Sequence, residues 1–174
     1  MESEVPAQAS GGIERLRVLR AAEGRAHWFL GTLAVVRASA EETAGGYSLI
    51  EQVARPGFGP PKHVHHVEDE QFYVLEGRVS FVCGDHLATL EAGGSIFLPK
   101  GVPHAFRVGG DGVARLLQLT VPGGFDRFVE EIGTPARDHG LPPDEPPPAG
   151  LLERMVELGR RHGFTVVGPP MSEG

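Results

Sequence analysis

The chain has 174 residues, a length that suggests one domain with a substantial core. Its hydrophobic content of 40% is ordinary for a globular protein, and its formal net charge is −7. This acidic balance argues against a nucleic-acid partner, because binding to a phosphate backbone needs a basic surface.

Residues 1–12, MESEVPAQASGG, are polar and are predicted to form a disordered tail. They contain neither a basic segment nor an apolar core, so they do not resemble a signal peptide. The longest apolar stretch, 28–36, is too short to cross a bilayer. The single cysteine, Cys83, excludes an internal disulfide and is interpreted as a buried apolar residue. Together these features predict a cytoplasmic protein with no membrane partner.

Short apolar or alternating runs follow along the chain, each ended by glycine, proline or acidic turn residues. Turns around Gly77 and at 109–112 are predicted to close β-hairpins. About ten short strands at this spacing predict an antiparallel sandwich or barrel over residues 13–122. In chain order, the predicted strands are 13–19, 27–37, 47–54, 62–67, 71–75, 79–83, 86–90, 95–98, 104–108 and 113–121.

The periodicity changes from strand to helix after Pro122. We interpret the first helix as a cap on one end of the barrel, with a partner-binding helix as the alternative. Since so short a segment cannot bury a core of its own, the tail 123–174 is predicted to pack on the barrel or on a second subunit. The predicted elements of this tail are a helix carrying Phe125, Phe128, Val129 and Ile132, an irregular connector at 134–149, a second helix at 151–162 and a short strand at 164–167.

Three histidines and one carboxylate fall at a spacing suited to a metal site. His63 and His65 lie two apart in a predicted strand, so their side chains point to the same face. Glu70 opens the next strand, and His104 stands in a later strand just after a proline-containing turn. This ligand set suits a first-row divalent metal and leaves coordination positions open for water, dioxygen or a chelating substrate. We therefore predict that His63, His65, Glu70 and His104 bind one metal ion.

The other histidines are not predicted to be ligands. His66 falls on the opposite face of its strand, although a register shift of one residue would exchange the faces. The rest have no ligand partner by spacing and are interpreted as surface or helix-end residues. They are His27, His86, His139 and His162.

The spacing of these residues resembles the two motifs of the cupin superfamily. The first motif, G-x5-H-x-H-x4-E-x6-G, is matched in full by Gly57, His63, His65, Glu70 and Gly77. The second motif, G-x5-P-x-G-x2-H-x3-N, is matched by Gly93, Pro99, Gly101 and His104, with Val108 in place of the final asparagine. That asparagine is not a metal ligand in the family, so its replacement leaves the metal prediction unchanged.

The resemblance implies an all-β fold, the cupin double-stranded β-helix or jelly-roll barrel, here with short C-terminal helices. Segment 59–77, GPPKHVHHVEDEQFYVLEG, is most similar to single-domain quercetin-2,3-dioxygenase-like cupins. The cofactor implied is one divalent transition metal, and iron, nickel, manganese, cobalt and copper all accept this ligand set. In such relatives the matching glutamate can leave the metal and act as a base. Glu70 is therefore a predicted catalytic residue, with permanent ligation as the alternative.

The function implied by the resemblance is a metal-dependent dioxygenase acting on a small aromatic or enolic, flavonol-like substrate that chelates the metal. Phe72 and Phe106 share the faces of Glu70 and His104, so they are predicted to form apolar walls of the substrate pocket, with plain core as the alternative. A homodimer is the default assembly for such barrels. Two alternatives stay open: a metal- and small-molecule-binding cupin with little turnover, and a redox-neutral isomerase or lyase.

Overall fold

The computed structural model describes residues 16–146 and 148–172, which form two antiparallel sheets and two short helices. The predicted all-β fold is therefore confirmed. Within these ranges, no helix combines the length and the apolar character that crossing a membrane requires. The elements are β1 Arg25–Phe29, β2 Thr32–Ala38, β3 Ser48–Ala54, β4 Pro61–His65, β5 Asp69–Glu76, β6 Arg78–Cys83, β7 His86–Glu91, β8 Ser95–Leu98, β9 His104–Gly109, β10 Ala114–Val121, α1 Phe125–Ile132, β11 Thr134–Pro135, α2 Leu151–Arg161 and β12 Phe164–Pro170.

The two sheets pack face to face around an apolar core. The larger sheet has the strand order β11-β1-β2-β3-β10-β5-β8, and the smaller has the order β12-β4-β9-β6-β7. Phe72 of the larger sheet lies 5.5 Å, between ring centroids, from both Phe81 and Phe106 of the smaller sheet. Strands alternate inward and outward side chains, so this packing also fixes which residues of β4, β5, β9 and β10 face the interior.

Two strand predictions were wrong at the N-terminal side. Residues 16–19 form no strand, and Leu16 and Val18 are 66% and 71% exposed. The sheet edge beside β1, where such a strand would pair, is taken by β11. The predicted strand 27–37 is two strands, because Leu30 and Gly31 both have positive φ and reverse the chain between β1 and β2. Residues 13–15 and the predicted tail 1–12 lie outside the described ranges.

Both predicted hairpins were also wrong. β5 and β6 belong to different sheets, as do β9 and β10, so the turns at Gly77 and at 109–112 carry the chain from one sheet to the other. Gly77 has φ +83°, and a Cβ there would lie 2.6 Å from the carbonyl oxygen of Val113. Position 77 therefore requires glycine because another chain segment approaches it closely. A hairpin turn alone would not impose this close approach.

The C-terminal segment forms part of the same packed body. β12 pairs with β4, placing Phe164 opposite His65 and Val166 opposite His63. The helices α1 and α2 join a second apolar cluster, whose buried aromatic members are Phe29, Phe125, Phe128 and Phe164. This arrangement puts residues of the tail directly beside the strand that carries two of the predicted ligands.

Candidate metal centre

The four predicted ligand side chains meet inside the sandwich. β4 contributes His63 and His65, β5 contributes Glu70, and β9 contributes His104, which pairs directly with His63 across the two strands. One possible ligand atom from each residue lies within 4.8 Å of all the others. The alternation predicted for β4 explains this convergence, since the intervening Val64 and the following His66 do not join the group.

The cluster is secluded from solvent. His65, Glu70 and His104 are only 1–2% exposed. The ring of Phe164 stacks on His65 with the centroids 5.4 Å apart and an interplanar angle of 26°. Burial of this many polar groups is unfavourable unless each finds a partner, so the contacts of each imidazole nitrogen are informative.

Every imidazole of the cluster has its Nδ1 atom engaged by an oxygen acceptor. A carbonyl or carboxylate oxygen can only accept, so the proton of each neutral ring sits on Nδ1 and the Nε2 atom keeps its lone pair. This is the arrangement in which histidine binds a metal through Nε2. The acceptors are the Pro61 carbonyl for His63 at 2.8 Å, Glu68 Oε2 for His65 at 3.1 Å and the Val102 carbonyl for His104 at 2.9 Å.

The atoms that face the centre lack hydrogen-bond partners. Among the described residues, the buried atoms His65 Nε2, Glu70 Oε2 and His104 Nε2 form no hydrogen bond of acceptable geometry. His104 Nε2 lies 3.1 Å from Glu70 Oε2, and His65 Nε2 lies 3.5 Å from Glu70 Oε1. Lone pairs that face one another in this way repel, whereas a cation between them would satisfy all of them. The residues present therefore fit a divalent metal. The observation that supports a metal is this set of buried, facing atoms without hydrogen-bond partners.

Burial and mutual charge shift the pKa values of the cluster in opposite directions. Burial lowers the pKa of His63 to about 4, which keeps this ring neutral and available as a ligand at neutral pH. Burial alone would raise the pKa of Glu70, but the facing imidazoles of His65 and His104, in their protonated forms, outweigh it and hold that pKa well below its usual range. Burial would also lower the pKa of His65, but Glu70 and Glu68 outweigh it and raise that pKa. Protonation of the neutral His65 ring would occur at Nε2, the atom that a metal would use.

Sequence reasoning missed two polar residues that hold the predicted ligands. Glu68 is 5% exposed, and its Oε2 atom lies 3.1 Å from His65 Nδ1. Gln118 of β10 donates from Nε2 to Glu70 Oε1 at 2.7 Å. A signal for Gln118 did exist: it is a polar residue at an inward position of an alternating strand, between the buried Leu116 and Thr120.

The space in front of the cluster is a small apolar chamber of about 50 Å³. Phe72 and Phe106 line it, and both also belong to the core cluster between the sheets, so their role as walls of a substrate pocket stays a prediction. Phe125, Phe128 and Phe164 line it too, and these tail residues were not predicted there because no local pattern relates the tail to the site. Gln52 and Gln118 are the amide side chains of this lining.

The remaining histidines lie apart from the cluster. His66 is exposed, and its Nε2 lies 2.9 Å from Thr165 Oγ1. His162 pairs with Glu131 at 2.7 Å at the end of α2. His86 and His139 are exposed, and His27 is half-buried in β1. None of them belongs to the group of four facing ligand atoms.

Removing the carboxylate behind His65 should weaken metal binding. Glu68→Ala leaves the His65 ring free to rotate and lowers its basicity, so we expect metal affinity to fall by about 10- to 100-fold. Glu68→Gln keeps an acceptor for Nδ1 and should lose less. Chelator competition with Co²⁺ or Zn²⁺ measures the effect, with the exposed Glu91→Ala as the matched control. Equal affinity of Glu68→Ala and the wild type would show that Glu68 does not support the site.

A family model built from known proteins matches the segment that carries the candidate site. Residues 50–121 match the family model described as Cupin domain. This segment contains all four converging residues, together with Glu68 and Gln118. The comparison with curated proteins finds no match.

Solved structures share the fold. The polyketide cyclase RemF from Streptomyces resistomycificus is 23% identical, with a TM-score of 0.54 and coverage of 74% of this chain and 89% of that chain. A predicted oxalate decarboxylase from Thermotoga maritima is 19% identical, with a TM-score of 0.57 and coverage of 61% and 99%. A sugar phosphate isomerase from Silicibacter pomeroyi is 18% identical, with a TM-score of 0.51 and coverage of 62% and 77%. Residues 50–121 thus match a cupin domain, and these solved structures have the same fold as this chain.

Proposed function

We propose that this protein is a metal-dependent cupin dioxygenase whose substrate is a small aromatic or enolic, flavonol-like compound that chelates the metal through adjacent oxygens. The observation that carries the proposal is the shared chamber: His63, Glu70 and His104 line the same space as a set of phenylalanine rings. A metal bound there would supply Lewis acidity and a template for the reactants. Cytoplasmic location and a homodimeric state stay predictions.

The side chains would have different roles in such a site. The Nε2 atoms of His63, His65 and His104 would hold the metal, because each Nδ1 atom is already engaged. The phenylalanine rings keep bulk water away from the reacting atoms and offer flat apolar surface to an aromatic ring.

Glu70 is the candidate catalytic base. It is the carboxylate among the described residues that line the chamber, and its lowered pKa keeps it ionised. A carboxylate of low pKa is a weak base, so proton transfer from a substrate hydroxyl would need a metal to make that hydroxyl more acidic. Gln118 anchors Oε1 by donating a hydrogen bond, which leaves Oε2 facing the centre. The carboxylate can thus ligate a metal through Oε2 or receive a proton without losing its anchor.

A redox-neutral isomerase or lyase is a second candidate, and the anchored Glu70 also suits this chemistry. A single buried carboxylate beside an electrophilic centre is suited to moving a proton next to a carbonyl group, a reaction that needs no oxygen. Both candidates use the same residues of the site, so these residues do not distinguish them. The candidates differ in whether the reaction consumes dioxygen.

Oxygen consumption separates these functions. Protein loaded separately with iron, manganese, nickel, cobalt or copper is assayed in an oxygen electrode against flavonols, β-diketones and catechols. We expect oxygen uptake that matches substrate loss, and a fall of about 100-fold or more in Glu70→Gln because the base is removed. Product formation at the same rate without oxygen would favour the isomerase or lyase. Tight substrate binding with no turnover under either condition would favour a binding protein.

A further inference from the structure

The chamber at the predicted metal ligands is the inner of two adjacent cavities. The inner chamber has a volume of about 50 Å³, and an outer groove of about 840 Å³ lies over the same end of the barrel. The walls of the groove come from the turn between β1 and β2, the segment before β4, the proline-rich connector and the start of α2. The groove is therefore built jointly by the barrel and the C-terminal tail.

Five residues line both cavities, and we call them the throat: Leu30, Phe58, Pro60, Pro61 and Met155. Shared lining shows that the chamber and the groove are adjacent there, so a passage between them would run past these five side chains. Leu30 holds this place with a positive φ of 51°, a backbone conformation that a leucine rarely adopts outside constrained positions. The throat is thus the boundary between the chamber at the predicted metal ligands and the outer groove.

The volumes restrict what can occupy each cavity. A chamber of about 50 Å³ holds a few water molecules or the end of a ligand, whereas pockets that enclose a drug-sized ligand measure roughly 300–1,000 Å³. An aromatic substrate larger than one small group cannot lie wholly inside the chamber. The groove, at about 840 Å³, has room for the rest of such a molecule.

The groove presents apolar surface that the protein itself does not cover. Leu152 lines it and is 57% exposed, which is unusual for a large apolar side chain set in a concave surface. The indole N–H of Trp28 donates to the carbonyl of Gly140 at 3.1 Å, so this ring meets a ligand only through its apolar atoms. The prolines of the connector are already restricted in conformation, which lowers the entropy cost of ordering this wall around a ligand.

The charges along the groove do not favour an ionic occupant. Arg137 lies over the Trp28 ring at 5.9 Å, while Glu145 and Glu153 line the same groove. One cation and two anions leave no concentrated charge of either sign to select an acid or a base. A neutral apolar body is the chemistry that this surface recognises.

We propose that the outer groove is a substrate subsite that binds the neutral, apolar body of an elongated substrate, while a chelating pair of oxygens at one end passes the throat to the metal ligands. This inference rests on the proposed function, because it assigns the remainder of the chelating substrate to a place in the fold. The groove, together with the throat, then selects substrates by the length and polarity of the part that does not react.

Two chelating probes of different length test the subsite on Co²⁺-loaded protein. Acetohydroxamate carries only the chelating head, and 2-naphthohydroxamate carries the same head on an apolar body. We expect the long probe to bind at least about tenfold more tightly, and Leu152→Glu to remove most of that advantage without changing the affinity for the short probe. Leu152 lies in the first turn of α2, where a carboxylate is favourable, so the variant should fold normally. Leu87→Glu, at an exposed leucine of β7 outside the groove, is the matched control.

The outcomes distinguish the subsite from the metal function. Equal affinities of the two probes for the wild type, or an equal effect of Leu152→Glu on both, would overturn the subsite. If the short probe does not bind but the long probe binds and is weakened by Leu152→Glu, the subsite stands and the chelating function fails. If neither probe binds, both proposals fail.

Discussion

Replacing His65 with alanine should abolish tight metal binding, whereas replacing the adjacent His66 should leave it unchanged. His65 is 1% exposed and aims its Nε2 atom at the centre, while His66 is exposed and contacts Thr165. Losing a direct ligand should weaken metal binding more than losing a residue that only supports a ligand. We therefore expect the metal affinity of His65→Ala to fall by more than about 100-fold. Elemental analysis and chelator competition on the purified variants measure the difference.

This pair is informative because both substitutions remove the same imidazole from neighbouring positions. Amino-acid composition and formal net charge are then the same in the two variants. Circular dichroism of both confirms that the fold survives. Equal metal retention by His65→Ala and the wild type, or a loss in His66→Ala as large as that in His65→Ala, would contradict the assignment of ligands to the inward face of β4.

Replacing Phe164 with alanine should destabilise the protein by about 3–5 kcal/mol, the usual cost of removing a buried phenylalanine ring. Phe164 is 5% exposed, lies 4.6 Å from the Phe128 ring and stacks on His65. A Cβ on Gly159 would approach this ring to 2.6 Å, which shows how closely α2 packs against it. We therefore expect Phe164→Ala also to weaken metal binding, because one wall of the site is lost.

Urea unfolding of the metal-free protein measures the first effect without stabilisation by a bound ion. The matched control is Val167→Ala on the same strand, where the side chain is 51% exposed, and a change within about 0.5 kcal/mol is expected. If Phe164→Ala were as stable as Val167→Ala, the tail would not be part of the core, and its contact with the metal ligands would be incidental.

The convergence of the four predicted ligand side chains could be predicted because strand alternation and motif spacing are visible in the sequence. His63 and His65 share a face through strand alternation alone, and the motif spacing adds Glu70 and His104 from other strands. The number and spacing of strands likewise predicted the all-β fold. These predictions depend on residue type and sequence separation, which are both visible in the chain.

The strand pairing was not predictable from turn chemistry. A glycine-containing turn reverses the chain in the same way whether the next strand joins the same sheet or the opposite one. The turns at Gly77 and at 109–112 therefore look like hairpin turns, although both connect the two sheets. What distinguishes Gly77 is the approach of Val113, which is distant in sequence.

The supporting residues were hidden for a related reason. Gln118 contacts Glu70 across 48 positions of the chain. Phe164 lies opposite His65 because β12 pairs with β4, a pairing that the sequence did not predict. Each of these contacts is made by tertiary packing. The sequence pattern shows that Gln118 is a polar residue at an inward position, but only the fold shows that it forms a hydrogen bond with Glu70.

The most direct test of the metal centre is a crystal structure of the metal-loaded protein with anomalous data collected at the absorption edge of the metal. One strong anomalous peak is expected among the Nε2 atoms of His63, His65 and His104 and a carboxylate oxygen of Glu70, at roughly 2.0–2.3 Å from each. A peak elsewhere on the chain, or these four side chains turned away from one another with no peak between them, would contradict the account.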